Sequence, residues 1–394
     1  MQDFEFMSPT QFVFGRAAEK KVGAKLAERG AHKVLVHFGG HSARKSGLLD
    51  RVCASLDDAG IEHVELGGVR PNPEITLVRE GVALCKKEGV DWVLAVGGGS
   101  VIDSAKAIAN GACIEEDVWE LFTTKKPNPT VLPIAVVLTI PAAGSEASKN
   151  TVVSNDELGM KTGYGNEHQR PKLAFMNPEL TFTLPPFQTA AGITDMFCHL
   201  LERFFDDVGA VPVTDNLNLS LMKTVRAEAP RVLSNPTDYE ARANIMWAGM
   251  LCHQGLAGAG RHEDWATHAL EHELSAYDTT ITHGAGLACM FPAWMEYTHK
   301  ENPGRLAYYG REVFGLAPTG DVCADALAAA GETRRFFASL GMPTSLTELG
   351  IGEDKIDGAI KKMIPTLRKN KGDVFGSFKK LTMKDAEAIY RLAL

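Results

Sequence analysis

Several things are scarce in this chain of 394 residues. Its seven cysteines (Cys53, Cys85, Cys113, Cys198, Cys252, Cys289, Cys323) are odd in number and scattered, with no C-x-x-C pair. Neither a disulfide framework nor a thiolate zinc site is indicated, and a reducing cytoplasm fits best. No apolar run reaches the roughly 20 residues a membrane helix requires; the most apolar stretch, residues 131–144, carries Pro133 and Pro141. Positive charge is short as well. Lys plus Arg number 41 against 49 Asp plus Glu, a formal charge of -8, and no basic cluster offsets it. A phosphate backbone would be repelled, so no nucleic acid partner is expected. The opening MQDFEFMSPTQFVFG lacks the basic start and apolar core of a signal peptide. What is present, 45% hydrophobic and 23% charged residues, is the profile of a globular protein long enough for two domains.

Up to about residue 185 short β-branched runs alternate with amphipathic segments. KVLVHF (Lys33 to Phe38) reads as a strand, His41 to Asp58 as a helix, and HVEL near His63 as a strand. Glu74 to Glu88 then reads as a helix, DWVLAV (Asp91 to Val96) as a strand, followed by a glycine run and a helix through Asn110. VLPIAVVLT (Val131 to Thr139) is one more buried strand. Such alternation predicts a mainly parallel sheet covered by helices, because parallel neighbours need a crossover. After Pro185 and Pro186 helical periodicity takes over and β-branched runs become few. The expectation is an α/β domain over 1–185 and an all-α domain over 186–394.

Two glycine turns follow strands and open helices. In GGGSVIDSAK (Gly97 to Lys106) three glycines allow close backbone approach, and helix-start amides suit a pyrophosphate. The spacing is not G-x-G-x-x-G, so a merely tight strand-to-helix turn fits it equally. In Gly39-Gly40-His41-Ser42 no acid follows the strand to hold a ribose 2′-hydroxyl; Ser42, Arg44 and Lys45 lie there instead, which leans toward a 2′-phosphate and NADP.

Five polar residues form a set in the second half. Asp195 and His199 are four apart in GITDMFCHLLERF, His268 and His272 four apart in DWATHALEHEL, and His283 follows in THGAG. On helices, residues four apart share a face. Carboxylate and imidazole are donors that zinc and ferrous iron accept, and an acid with three histidines would leave a divalent ion one positive charge and an open position. Spacing alone does not select which of the histidines bind, nor whether an ion is bound at all.

The order GGGSVIDSAK, PAAGSEAS (Pro141 to Ser148), D-x3-H, H-x3-H and HG, in one chain beginning FEFMSPTQFVFG, closely resembles the iron-containing, group III alcohol dehydrogenase family, and most of all its butanol dehydrogenase branch of NADP-dependent aldehyde reductases. The resemblance runs through essentially the whole chain. It implies an N-terminal Rossmann-like dinucleotide-binding domain and an all-α metal-binding domain in a dehydroquinate synthase-like architecture, forming a homodimer. It implies Asp195, His199, His268 and His283 as ligands of Fe2+ or Zn2+, with His272 a neighbour of the nicotinamide and a candidate proton relay. Gly97, Gly98, Gly99 and Ser100 would hold the pyrophosphate and Asp103 would lie near the nicotinamide end. Thr139, Ala142 and Ser145 would line the adenine and ribose side, and Lys161 matches a lysine that meets the cofactor and its 2′-phosphate. Where many relatives carry P-T-x-A-G-T-G-S-E, this chain has the shorter Pro141-Ala142-Ala143-Gly144-Ser145-Glu146. The implied reaction is hydride transfer between NADP(H), or NAD(H), and a small aldehyde or primary alcohol. A dehydroquinate synthase-like lyase and a glycerol-phosphate dehydrogenase share the outline, but their phosphorylated substrates call for basic residues, and near His199 and His268 only Arg203 and Arg261 answer to that. A metal hydrolase would leave the glycine turn unexplained.

Overall fold

The computed structural model describes residues 1–394. It divides into two compact units, Met7–Leu184 and Pro185–Leu394, the second joined by Met1–Phe6. Those first six residues, which composition groups with the α/β half, pack with the helical one, where the Gln2 amide donates to the Gly260 carbonyl at 3.0 Å.

The first unit is built on strands β1 (Gln11–Phe14), β2 (Lys33–Phe38), β3 (Glu62–Leu66), β4 (Trp92–Gly97), β5 (Ile134–Leu138) and β8 (Leu173–Met176), in the order β1-β8-β5-β4-β2-β3. Every neighbouring pair is parallel. β4, β5 and β8 are buried along their length, with Leu94, Val136 and Phe175 fully out of water. Continuous apolar runs of this kind are what a sheet covered on both faces demands. Six helices pack around it, α1 (Val22–Ala27), α2 (Ser42–Lys45), α3 (Leu48–Asp58), α4 (Ile75–Glu88), α5 (Gly99–Gly111) and α6 (Trp119–Thr124). The single helix expected over His41 to Asp58 is two, because Gly47 adopts φ +68° and breaks the run. An antiparallel hairpin absent from the sequence reading, β6 (Asn150–Asn155) with β7 (Met160–Gly165), turns at Gly159, whose φ is +57°.

From β2 the chain passes outward to β3, whereas from β4 it passes to β5 on the other side. The carboxyl ends of β2 and β4 therefore flank a switch point, where open α/β sheets form their ligand crevice. Phe38 lies in register with Val96, so both glycine turns leave the sheet side by side.

The second unit is helical: α7 (Pro186–Phe204), α8 (Pro212–Ser234), α9 (Tyr239–Leu251), α10 (Ala266–Tyr277), α11 (His283–Thr298), α12 (Pro303–Tyr309), α13 (Val322–Ser339), α14 (Glu353–Lys371) and α15 (Met383–Leu392). One two-residue ladder, β9 (Val374–Phe375) with β10 (Leu381–Thr382), is the exception to the all-α expectation. α7 starts with Pro186 at its first turn, where a missing N–H costs nothing, and is buried from Thr189 to Phe204. It packs against α8, α9 and α11.

Candidate functional site

The switch-point turns are shaped by what glycine lacks. A Cβ on Gly97 would stand 2.4 Å from Val101 Cγ2, and one on Gly98 would stand 3.1 Å from Ile140 Cβ. Gly98 is the N-cap of α5 and supplies no side-chain cap, so the amides of Gly99 and Ser100 open the helix free for an anion. On the neighbouring strand Gly39 and Gly40 precede His41, the residue before α2, and Ser42 is the first residue of that helix. Beneath both turns His37 is buried, its Nδ1 2.8 Å from the Leu66 carbonyl and its Nε2 2.8 Å from Ser104 Oγ. Burial pushes its pKa down to about 4, so it is a neutral pin between β2, β3 and α5.

The remaining nucleotide candidates cluster around α5. Thr139 donates its amide to Gly97 O at 3.0 Å, at the end of β5. Ala142 lies half-buried in the following turns. Ser145 is buried and donates to Asp103 Oδ1 at 2.6 Å, while Asp103 Oδ2 accepts from the Val152 amide at 2.9 Å. Lys106 Nζ, also buried, donates to Ser145 Oγ at 2.8 Å and to the Asn150 carbonyl at 2.8 Å. Both Asp103 oxygens are thus engaged within the protein, tying the 141–152 segment to α5. Burial drives the Lys106 pKa down to about 8, and burial raises the Glu146 carboxyl to about 7. Lys161 is buried on β7, close enough to Asp103 to stabilise its charge.

In the helical unit three elements bring the polar set together. Asp195 and His199 project from one face of α7, His268 and His272 from α10, and His283 is the first residue of α11. The ligand atoms of Asp195, His199 and His268 lie within 4.8 Å of one another, as do those of Glu271, His272 and His283. His283 Nε2 is 3.8 Å from Asp195 Oδ1 and His268 Nε2 is 3.9 Å from it. The rings of His199 and His268 are 4.6 Å apart, those of His268 and His283 5.3 Å. His272 stands at the edge, 5.5 Å from the His283 ring and 6.5 Å from that of His268. The HG pair has a steric reason. A Cβ on Gly284 would meet the Ala191 carbonyl oxygen at 2.1 Å, so only glycine lets α11 begin against the backbone of α7.

Two carboxylates that the sequence reading passed over stand behind the histidines. Glu202 Oε1 accepts from His268 Nδ1 at 2.8 Å, and Glu271 Oε2 is bonded to His283 Nδ1. His199 Nδ1 donates to the Asp195 carbonyl at 2.9 Å. In each ring one nitrogen is fixed and the other left available, the arrangement in which outer carboxylates and carbonyls orient metal-binding imidazoles. The signal was in the spacing: D-x3-H-x2-E puts Glu202 on the ligand face of α7, and Glu271 is three residues beyond His268. Trp265, Arg203 and His253 wrap the far side, with the Arg203 guanidinium 4.7 Å from the indole and 3.0 Å from His253 Nδ1.

Without an ion the electrostatics are unresolved. Burial opposes ionisation of Asp195, yet His199 and His283 outweigh it and hold the carboxyl well below its usual range. Burial pushes His199 down to about 4. Burial also opposes charge on His268, but Asp195 and Glu202 raise it to about 9. Asp195 Oδ1 and His268 Nε2 are buried with no hydrogen-bond partner. Buried polar atoms without partners are costly, about 1–3 kcal/mol each, and a divalent cation that displaces the His268 proton would satisfy both. The donor set of one carboxylate and three imidazoles fits zinc or ferrous iron.

Fold and donor chemistry together define a class: a dinucleotide-type parallel sheet joined to a helical unit equipped for a divalent ion. The chain belongs to the iron-containing alcohol dehydrogenase family, whose profile matches residues 9–178, with its C-terminal profile matching 189–394. It is an oxidoreductase of the alcohol dehydrogenase and aldehyde reductase kind. It is 38% identical over 392 residues to NADH-dependent butanol dehydrogenase A of Clostridium acetobutylicum, covering 99% of each chain. It is 36% identical to the NADPH-dependent aldehyde reductase YqhD of Escherichia coli, covering 92% of this chain and 93% of that one. The crystal structure of NADH-dependent butanol dehydrogenase A from Thermotoga maritima superimposes with a TM-score of 0.96 at 38% identity, covering 100% of this chain and 99% of the other. No helix is long and apolar enough to cross a membrane.

Proposed function

We propose that this protein reduces small aliphatic aldehydes to primary alcohols with NADPH in preference to NADH, using one Fe2+ or Zn2+ ion held by Asp195, His199, His268 and His283. The observation that carries the proposal is the pair of unpartnered buried atoms, Asp195 Oδ1 and His268 Nε2, beside two further histidines whose second nitrogens are already fixed. The ion supplies Lewis acidity toward a carbonyl oxygen and the nicotinamide supplies hydride.

The chain's own residues have separable tasks. Glu202 and Glu271 hold His268 and His283 in the tautomer that leaves Nε2 open. His272, at the edge of the set, is placed to pass a proton from solvent to the product oxygen during reduction. In the α/β unit the amides of Gly97, Gly98, Gly99 and Ser100 bind the pyrophosphate, and Gly39, Gly40 and Ser42 accept the adenosine end. Thr139, Ala142, Ser145 and Lys161 complete that side, with Asp103 acting through Ser145 and Val152 to fix the loop that carries them. No acid stands at the end of β2 to repel a 2′-phosphate, which is why NADPH is favoured. The functional division is 1–185 for nucleotide and 186–394 for metal, in a homodimer as the family resemblance implies and in the cytoplasm as the scattered cysteines suggest.

The test is consumption of NADPH, and separately of NADH, with butanal, before and after chelation and with zinc or ferrous iron restored. Metal-dependent oxidation with a higher kcat/KM for NADPH is expected. Turnover that survives complete chelation would overturn the ion's role, and a clear NADH preference the reading of Ser42 and Lys161. His272→Ala is expected to lower turnover and shift the pH profile; full activity with an unchanged profile sinks the relay.

A further inference from the structure

A second group of ligand-type side chains sits on the α/β unit, made of residues given no task above. Strand β3 is the sheet's outer edge, hydrogen-bonded only to β2. His63 and Glu65 are two apart on it and so point to one face. Helix α3 brings Cys53 against them, and Asp57, one helical turn further on, lies on the same side. One donor atom from each of Cys53, His63 and Glu65 lies within 4.8 Å of the other two.

We infer that Cys53, His63 and Glu65 form a second divalent-cation site, for an ion of the zinc class, on the outer edge of the α/β sheet. The donor set is the first support. A thiolate, an imidazole and a carboxylate are the sulfur, nitrogen and oxygen ligands zinc accepts, three of them leaving a fourth position for water. Around a tetrahedral zinc such atoms stand roughly 3.3–3.8 Å apart, so rotations of about an ångström close the site. Charge is the second: a thiolate and a carboxylate together cancel a divalent ion.

The surroundings are already ordered for this. Arg44 Nη2 holds Glu65 Oε2 at 2.5 Å, and Oε1 faces Cys53 Sγ at 3.9 Å. Asp57 Oδ1 is 3.2 Å from His63 Nε2, a carboxylate backing an imidazole as Glu202 backs His268. Cys53 and His63 are only half-buried, which leaves an ion a path in. Burial, followed by the charges of Glu65, Asp57 and Asp50, pushes the Cys53 thiol up to about 11. The carboxylates of Glu65, Asp57 and Asp50 around the sulfur favour a cation there.

Cobalt gives a readout independent of turnover, because thiolate-to-cobalt charge transfer absorbs strongly and the Asp195 set contains no sulfur. The full-length protein, its Asp195 site first filled with zinc, is titrated with Co2+. One further equivalent is expected to bind with a thiolate charge-transfer band. In Cys53→Ser the band is expected to vanish, and in His63→Gln and Glu65→Gln the affinity to fall at least about 10-fold, with aldehyde reduction unchanged in all three. Circular dichroism confirms that each variant is folded, and His63→Gln keeps the test open should Cys53→Ser fail to fold. A wild-type protein that shows no thiolate band at saturating Co2+ overturns the inference. So does a band that persists undiminished in Cys53→Ser, which would point to another thiol such as the buried Cys198.

Discussion

Asp103 and Asp195 are both carried inside helices and shielded from water, and the molecule treats them in opposite ways. Asp103 has both oxygens occupied, by Ser145 Oγ and the Val152 amide, and Lys106 shares its serine. Asp195 keeps Oδ1 without a partner while three histidines converge on it. A completed polar network in low dielectric stiffens the segment it ties down. An incomplete one has an unmet demand for charge, and its geometry states what would meet it. The first aspartate ties the 141–152 segment to α5; the second belongs to the donor set proposed to hold an ion.

The contrast is open to attack from either end, and the largest effect is expected at Asp195. Asp195→Asn should strip the protein of its metal and lower aldehyde reduction by about 10³-fold or more, since Lewis-acid stabilisation contributes several kcal/mol. Elemental analysis beside kinetics checks this, and a metal-replete, active variant would end the reading. Next comes Glu202→Gln, which weakens the hold on His268 and should cost about 10–100-fold in metal affinity. Competition with a chromophoric chelator measures it, and unchanged affinity would reduce Glu202 to packing.

A third effect concerns pH. Glu146 is buried, with a folded pKa near 7 against 4.5 when exposed, so the folded state binds more protons between those values. Stability from this group is present below about pH 4.5 and lost as pH rises through 7, on the order of 3 kcal/mol. The melting temperature of wild type should therefore fall relative to Glu146→Gln across that window; parallel curves would show that the folded carboxyl titrates as it does in the unfolded chain. The smallest change is expected for Asp103→Asn, which leaves metal content intact, costs about 1–2 kcal/mol of stability through weakened hydrogen bonds to Ser145 and Val152, and raises KM for the nucleotide. Loss of metal in that variant would erase the distinction between the two acids.

Much of this was legible in the residues. KVLVHF is β2 to the residue, Ile134–Leu138 lies inside its expected strand and Trp92–Gly97 is shifted by one residue from the expected Asp91 to Val96, because buried parallel strands advertise themselves as unbroken apolar runs. The Asp195 to His283 set was visible as helical spacing. What was not legible depended on tertiary partners. The β6–β7 hairpin is short and polar, edge strand β1 is half exposed, and Gly47 breaks a helix whose periodicity runs straight through it. Glu202 and Glu271 looked like ordinary helix acids until α7, α10 and α11 were packed together. Asp103 and Ser145 pair across 42 residues, a contact no local pattern announces.

The glycine at 284 has a kinetic side. Because α11 starts in direct contact with the Ala191 carbonyl, the donors are enclosed by helices that touch backbone to backbone; Asp195, His199 and His268 are each about 5% exposed, and His283, at 27% of its side chain, is the one donor open to solvent. An ion held there would leave by the His283 side or wait for α10 and α11 to part, and its residence time would be set by the rate of that local opening. Beyond a threshold of chelator, adding more would not hasten its departure.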